Sequence, residues 1–360
     1  MSQPSGSPRQ IPVVVLAGFL GSGKTTLLNH LLHRSGGSRI GAVVNDFGAI
    51  EIDAMAVAGA LGDSTVSLGN GCLCCAVDVS ELDGYLAKLA HPDAGIDVIV
   101  IEASGLAEPQ ELVRMVLASE EPGIVYGGLV EVVDAAEFDD TRAKHPEIDR
   151  HLALADVVVV NKLDRAADAE RVLETVRSLV DRAAVVPATY GRIDPEFLFD
   201  CRPGEERIGQ LSFDDLDDVD DLHDHTDAHG HQDHLHSGYD SVSFRSDVPM
   251  DPRRLMAFLD TRPEGLYRIK GYVDFGPYDV RSRYAVHAVG SFLRFYPEPW
   301  GAGDERLTQL VLIGSGIDTR ALHEELEAGR QNAPHTADEA SMWGVLRFVQ
   351  GTEEDPDEPA

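Results

Sequence analysis

The chain has 360 residues, 43% hydrophobic and 26% charged, a globular composition with room for two domains. Its 62 acidic against 30 basic side chains give a formal net charge of -32, which repels phosphate backbones and anionic lipid and argues against nucleic-acid or membrane partners. No apolar run approaches the ~20 residues of a bilayer span.

In chain order, residues 1–10, MSQPSGSPRQ, carry no charged n-region leading into a long apolar stretch and read as a disordered start, with the cytoplasm as the expected compartment. IPVVVLAG is apolar throughout, as a strand covered on both faces must be. It runs into Gly18–Thr25, GFLGSGKT, a full match to G-x-x-x-x-G-K-[ST] between a strand and the helical stretch TTLLNHLLHR. Gly18, Gly21 and Gly23, with Ser22, let the backbone curl so that N–H groups face phosphate oxygens, and the helix dipole favours the anion. Lys24 reaches the β/γ-phosphates, the Thr25 hydroxyl ligates Mg²⁺, and Thr26 completes the cradle.

The second strand, RIGAVVN, leads to Asp46, where a switch segment facing the nucleotide is expected. Next comes LGNGCLCCAV, which holds Cys72, Cys74 and Cys75, three of the four cysteines in the chain. Cytoplasmic thiols stay reduced, so this cluster points to metal or redox chemistry. The C-x-C-C spacing is too tight for a zinc ribbon. Two cysteines one residue apart can share a metal, and the third can complete a three-thiolate face that selects soft or borderline ions such as Zn²⁺ or Cu(I). A redox switch and buried inert thiols are the other readings.

After the helical DVSELDGYLAKLA, the strand DVIVIEA ends at Glu102, a Walker-B-type acid for Mg²⁺, and Gly105 follows to offer its N–H to the γ-phosphate. The helix QELVRMVLAS and the strands GGLVEVVD and ADVVVVNK come next. The last ends in NKLD, residues 161–164. A carboxylate there accepts from guanine N1–H and the N2 amine together, a donor pair adenine lacks, so Asp164 selects GTP. Lys162 lies along the base and Asn161 braces the loop. The helix DAERVLETVRSLV carries one apolar stripe, and the strand AAVVPAT ends at Ala188–Thr189, where a backbone N–H is expected to meet guanine O6.

Composition then changes. DDLDDVDD precedes HDHTDAHGHQDHLH, with His223, His225, His229, His231, His234 and His236, an exposed segment able to gather Zn²⁺, Ni²⁺ or Co²⁺ weakly or to serve as a solvated linker only. YDSVSFRS, LYRIKGYVDF, RYAVHAVGSFLRFY and TQLVLIG read as strands, DPRRLMAFLD and TRALHEELEAG as helices, and GTEEDPDEPA as an acidic disordered tail. The expected fold is α/β: a P-loop NTPase with a mostly parallel sheet covered by helices, plus a smaller C-terminal α/β domain. The expected division is 1–10, 11–210, an acidic and His-rich linker at 211–238, 239–350, and 351–360.

GFLGSGKTTLLNHLL, NDFG, GNGCLCC, EASGLAEP and NKLD, in this order, closely resemble the CobW-type P-loop GTPases. The resemblance runs from Ile11 to about Arg192 and more loosely through RIKGYVDF and QLVLIGSGID. It implies a GTP-hydrolysing metallochaperone, mainly for zinc and in some members tied to cobalt, with an unidentified metalloenzyme client. It maps Cys72, Cys74 and Cys75 onto the family's metal ligands, and the His-rich segment onto a proposed metal-gathering loop. Lys24, Asp46 and Glu102 are then the residues expected to act on GTP. Members often carry a Glu after the switch Phe-Gly. Ala49 stands there in this chain, which leaves Asp46, Glu51, water or thiolates alone to complete the shell. No glutamine or arginine finger is evident, so slow turnover and a nucleotide-dependent homodimer are expected. A metal buffer with GTP as regulatory ligand only is the alternative.

Overall fold

Valine and isoleucine dominate the N-terminal strands because both faces are covered. In β1 (Ile11–Ala17), Val14 and Leu16 pack against one side of the core, while Val13, Val15 and Ala17 pack against the other. The computed structural model describes residues 10–35, 37–44, 65–67, 79–105, 107–200, 239–301, 303–331 and 339–349. Asp46, Ala49, Cys72, Cys74, Cys75 and the six histidines from His223 to His236 lie outside the described residues, as do residues 1–9, the expected linker at 211–238 and the tail 351–360.

The chain proceeds through α1 (Lys24–His33), β2 (Ile40–Val44), β3 (Thr65–Ser67), α2 (Val79–Ala90), β4 (Val98–Glu102), α3 (Pro109–Ala118), β5 (Ile124–Asp134), α4 (Phe138–Lys144), α5 (Ile148–Leu154), β6 (Val157–Asn161), α6 (Ala169–Leu179) and β7 (Ala184–Pro187). Every ladder in this sheet is parallel, in the order β3-β2-β4-β1-β5-β6-β7. All strands therefore point their carboxyl ends at one edge, where ligands of open α/β sheets sit. The register aligns Ser67 with Val44 and Val44 with Glu102 at that edge.

After a short helix, α7 (Pro195–Leu198), the C-terminal part holds β8 (Asp240–Ser246), α8 (Pro252–Asp260), β9 (Leu266–Val273), β10 (Ser282–Val289), β11 (Phe292–Pro299), β12 (Thr308–Gly314) and α9 (Thr319–Ala328). These strands form a separate antiparallel sheet, in the order β11-β10-β9-β12-β8. Its two faces serve different cores. Leu310 and Leu312 pack with Leu255, Leu259 and Leu322 under α8 and α9, while Val311 and Ile313 join the N-terminal core. Asp251 and Asp318 cap those two helices through their side chains.

The two sheets meet at a break in β5. The ladder to β1 slips between Val13 and Val14, opposite Tyr126 and Gly128, and the Gly127 carbonyl accepts the Tyr267 hydroxyl at 2.9 Å. Gly128 holds φ 113°, and a β-carbon there would press on the Tyr267 ring hydroxyl and Val289. Buried Asp156 accepts from Tyr126 Oη at 2.6 Å and from Leu129 N–H at 2.9 Å beneath this contact. Asp156→Ala strands both donors in the interior, so it should cost about 3 kcal/mol of stability, read as a lower urea midpoint. An unchanged midpoint would remove this network from the fold's support.

Candidate functional site

The P-loop bridges β1 and α1 at the carboxyl edge. α1 starts directly from Gly23, held at φ 105°, where a β-carbon would run into the Asn161 side-chain amide. Lys24 is buried, and its Nζ donates to the Gly18 carbonyl at 2.9 Å and the Phe19 carbonyl at 3.2 Å. The ammonium thus sits inside the loop, beside the first N–H groups of α1, where an anion is favoured. Thr25 Oγ1 donates to Glu102 Oε1 at 2.7 Å, joining the loop to the end of β4. This hydroxyl and carboxylate are the hard oxygen donors that suit Mg²⁺.

Asn161, almost fully buried, ties three loops together. Its Nδ2 donates to the Ser22 carbonyl at 3.0 Å, and its Oδ1 accepts the Gly191 N–H at 2.8 Å. Lys162 holds φ 59° and donates from Nζ to the Gly21 carbonyl and to Asp134 Oδ2, both at 2.7 Å. Its stem is fixed at both ends. Asp164 follows in the next turn, with the Arg165 Nε 3.9 Å from its Oδ2.

A cavity of ≈ 450 Å³ joins these groups. Gly21, Gly23, Lys24, Thr25, Thr26, Glu102, Asn161, Lys162 and Asp164 line it. Gly18 and Ser22 contribute from behind through their carbonyls, and a β-carbon on Gly105 would meet the Leu20 backbone of the P-loop. The Ala188 N–H is spent on the Val160 carbonyl at 2.9 Å, so it cannot serve guanine O6. Among the described residues no group of three His, Cys, Asp or Glu side chains forms a metal-binding cluster, and no helix is long and apolar enough to cross a membrane.

Several contributors have no motif. Arg165 and Tyr190 also line the cavity, beside Leu20 from an unspecified position of the P-loop motif. Asp134, at the end of β5, anchors Lys162. Phe19 stacks near His151 and against His145, with ring centroids 5.8 Å and 5.0 Å away, so α4 and α5 support the P-loop from its outer side. Burial lowers the His151 pKa and favours the neutral ring.

Glu131 is the most unusual. It pairs in the ladder with Ala17, the residue before the P-loop, and alternation points it away from the α1 face. It is fully buried, and neither carboxylate oxygen has a hydrogen-bond partner. Desolvation lifts its pKa to about 8, against the opposing pull of the Lys24 charge.

Two family models match the chain. Residues 12–187 match the CobW/HypB/UreG nucleotide-binding domain, and residues 239–330 match the cobalamin synthesis protein cobW C-terminal domain. A zinc chaperone CobW from Sinorhizobium sp is 30% identical over 346 residues, which span 85% of this chain and 93% of the relative. The zinc chaperone YjiA of Escherichia coli strain K12 is 32% identical over 194 residues, 52% of this chain and 61% of that one. Among solved structures, the Zn(II)-bound YjiA GTPase from E. coli is 24% identical, with 90% of this chain and 100% of that chain covered and a TM-score of 0.42.

The Glu131 carboxyl titrates near 4.5 when exposed and near about 8 in the fold. The folded state therefore holds an extra proton across that window, and stability falls as pH rises through it. Glu131→Gln removes this loss. In urea unfolding the variant should gain on wild type progressively from about pH 5 to about pH 8. Parallel curves across that range would contradict the assignment.

Proposed function

The chain belongs to the CobW/HypB/UreG family, and on that premise we propose that it is a GTP-dependent zinc chaperone acting in the cytoplasm. The observation that carries the nucleotide half is one cavity lined by Lys24, Thr25, Glu102 and Asp164. Lys24 and the first turn of α1 take the β/γ-phosphates. Mg²⁺, held by Thr25 and Glu102, neutralises charge on the phosphates when bound. Asp164 pairs with the guanine edge, and Lys162 supports the base. Asp46 serves the switch, and Gly105 supplies a backbone N–H at the γ-phosphate. Slow intrinsic turnover fits a chain with no evident glutamine or arginine finger, to be completed by a client or a second copy.

The metal half rests on the C-x-C-C run and on the relatives' names, both zinc chaperones. Cys72, Cys74 and Cys75 form the zinc site in this reading, with Co²⁺ or Ni²⁺ as other cargo. The six histidines from His223 to His236 gather ions and pass them inward, and a metalloenzyme client receives them. The topology supports a link between the halves. Ser67 and Glu102 end neighbouring ladders at one edge, roughly 10 Å apart across two strand spacings. Five residues further, Cys72 stays within about 17 Å of Ser67 at full extension. In this reading the cysteine run lies near the phosphate end of the cavity, which its five-residue separation from Ser67 permits. The domain division follows the same reading, 11–210 for GTP and metal and 239–350 for the client.

Two variants test the two halves separately. Asp164→Ala should abolish a GTP-over-ATP preference of at least about tenfold in equilibrium binding. Cys74→Ser, purified without an affinity tag, should lose its zinc by elemental analysis while still binding GTP, with the affinity of zinc-free wild type. A wild type that binds ATP as tightly as GTP would defeat the first half. A Cys74→Ser protein that keeps its zinc would defeat the second.

A further inference from the structure

Among the described residues two non-glycine side chains sit at positive φ, Lys162 at 59° and Tyr190 at 54°, and both line the nucleotide cavity. Left-handed backbone is sterically costly for a residue with a β-carbon, and most of all for a bulky one. It persists where neighbours enforce it, and such residues cluster at ligand clamps. The enforcement around Tyr190 is explicit. The next residue, Gly191, donates its N–H to Asn161 Oδ1 at 2.8 Å, and the Arg192 N–H closes back on the Thr189 carbonyl at 3.1 Å. The same Asn161 braces the P-loop. Tyr190 is therefore held in register with the phosphate end of the site by one buried amide.

The side chain that this backbone presents is out of place unless something covers it. Tyr190 is 57% exposed, in a fold that buries most of its large apolar side chains. The Arg192 guanidinium lies over the ring, 6.0 Å from its centroid. Tyr190 lines the cavity with Asp164 and Arg165, and its segment is tied to the base-reading loop where the Leu163 N–H donates to the Ala188 carbonyl at 3.4 Å. A carboxylate that reads one edge of a planar base leaves both faces of that base in water. An aromatic ring on one face removes that surface and excludes water from the edge contacts, which strengthens them.

We infer that Tyr190 is a base-stacking residue, whose ring covers one face of the purine while the anchored Lys162 stem covers the other and Asp164 reads the edge. This rests on the nucleotide reading above and adds a specificity element outside the P-loop and NKLD motifs. Tyr190 discriminates nucleotides with a purine from free polyphosphates, and Asp164 discriminates guanine from adenine. The phenol hydroxyl has no part in it.

The test uses the full chain and two probes, GTP and inorganic tripolyphosphate, by calorimetric titration. Tyr190→Asn removes the ring and keeps a residue that tolerates the left-handed backbone. It should weaken GTP about tenfold, as loss of base–aromatic stacking does, and leave tripolyphosphate within about twofold. Tyr190→Phe should bind both probes as wild type does. Unchanged GTP affinity in Tyr190→Asn would overturn the inference, and so would an equal loss for both probes, which marks a loop-shaping role. The parent reading fails separately, through a wild type that binds tripolyphosphate but shows no gain from the guanosine.

Discussion

A buried side-chain amide that is paired through both its nitrogen and its oxygen can hold three segments of backbone in one geometry, and Asn161 does so at the carboxyl edge of the parallel sheet. It stands at the end of β6, donates to the Ser22 carbonyl in the P-loop and accepts from Gly191 after β7. Without it the phosphate cradle and the base-reading loops would be joined chiefly by the more exposed contact of the Lys162 side chain to the Gly21 carbonyl. With it, a shift of the P-loop is felt at Asp164 and Tyr190. Each partner is a backbone group, so the geometry is set by the fold rather than by other side chains. The rest of the cavity inherits its shape from this brace, including the glycine at position 23, which leaves room for the amide.

β5 extends the same logic across the molecule. Its first half carries the bulge at Gly127 and Gly128 that receives Tyr267, and the Tyr126 carbonyl that pairs with the His287 ring at 2.9 Å. Its middle carries buried Glu131 behind the P-loop, and its end carries Asp134, which anchors Lys162. One strand thus touches the C-terminal sheet at one end and the nucleotide cavity at the other. Burial depresses the His287 pKa to about 4, so that contact does not titrate near neutrality. In the proposed reading, this strand, engaged at both ends, is the element through which nucleotide occupancy and a client on the C-terminal sheet would bias one another.

How much of this the sequence carried depends on the kind of signal. The six strands read from apolar runs and the P-loop helix all form, because burial on both faces requires those runs. β3 is three residues long, too short for periodicity to reveal. α4 is polar-rich and α5 is only seven residues long, and their role lies in tertiary contact, Phe138 and Leu152 beneath and the two histidines against Phe19. RYAVHAVGSFLRFY reads as one strand-like run and folds as a hairpin, β10 and β11, because Gly290 takes φ 52° at the turn. In the site, motif residues announced themselves through spacing. Glu131 and Tyr190 did not, since an acid within a valine-rich strand and a tyrosine after one acquire meaning only from what surrounds them. Ala188 shows the converse: a plausible donor by position, already committed to the sheet ladder.

The central claim of the proposed function is that the thiolates and the triphosphate pocket are coupled, so that occupancy of one changes the affinity of the other. The most direct test is zinc affinity, measured by competition with a chromophoric chelator, in the presence of a non-hydrolysable GTP analogue with Mg²⁺ and again with GDP. The account expects affinities that differ by at least about tenfold, a coupling of about 1.4 kcal/mol. Equal affinities in the two nucleotide states would contradict it.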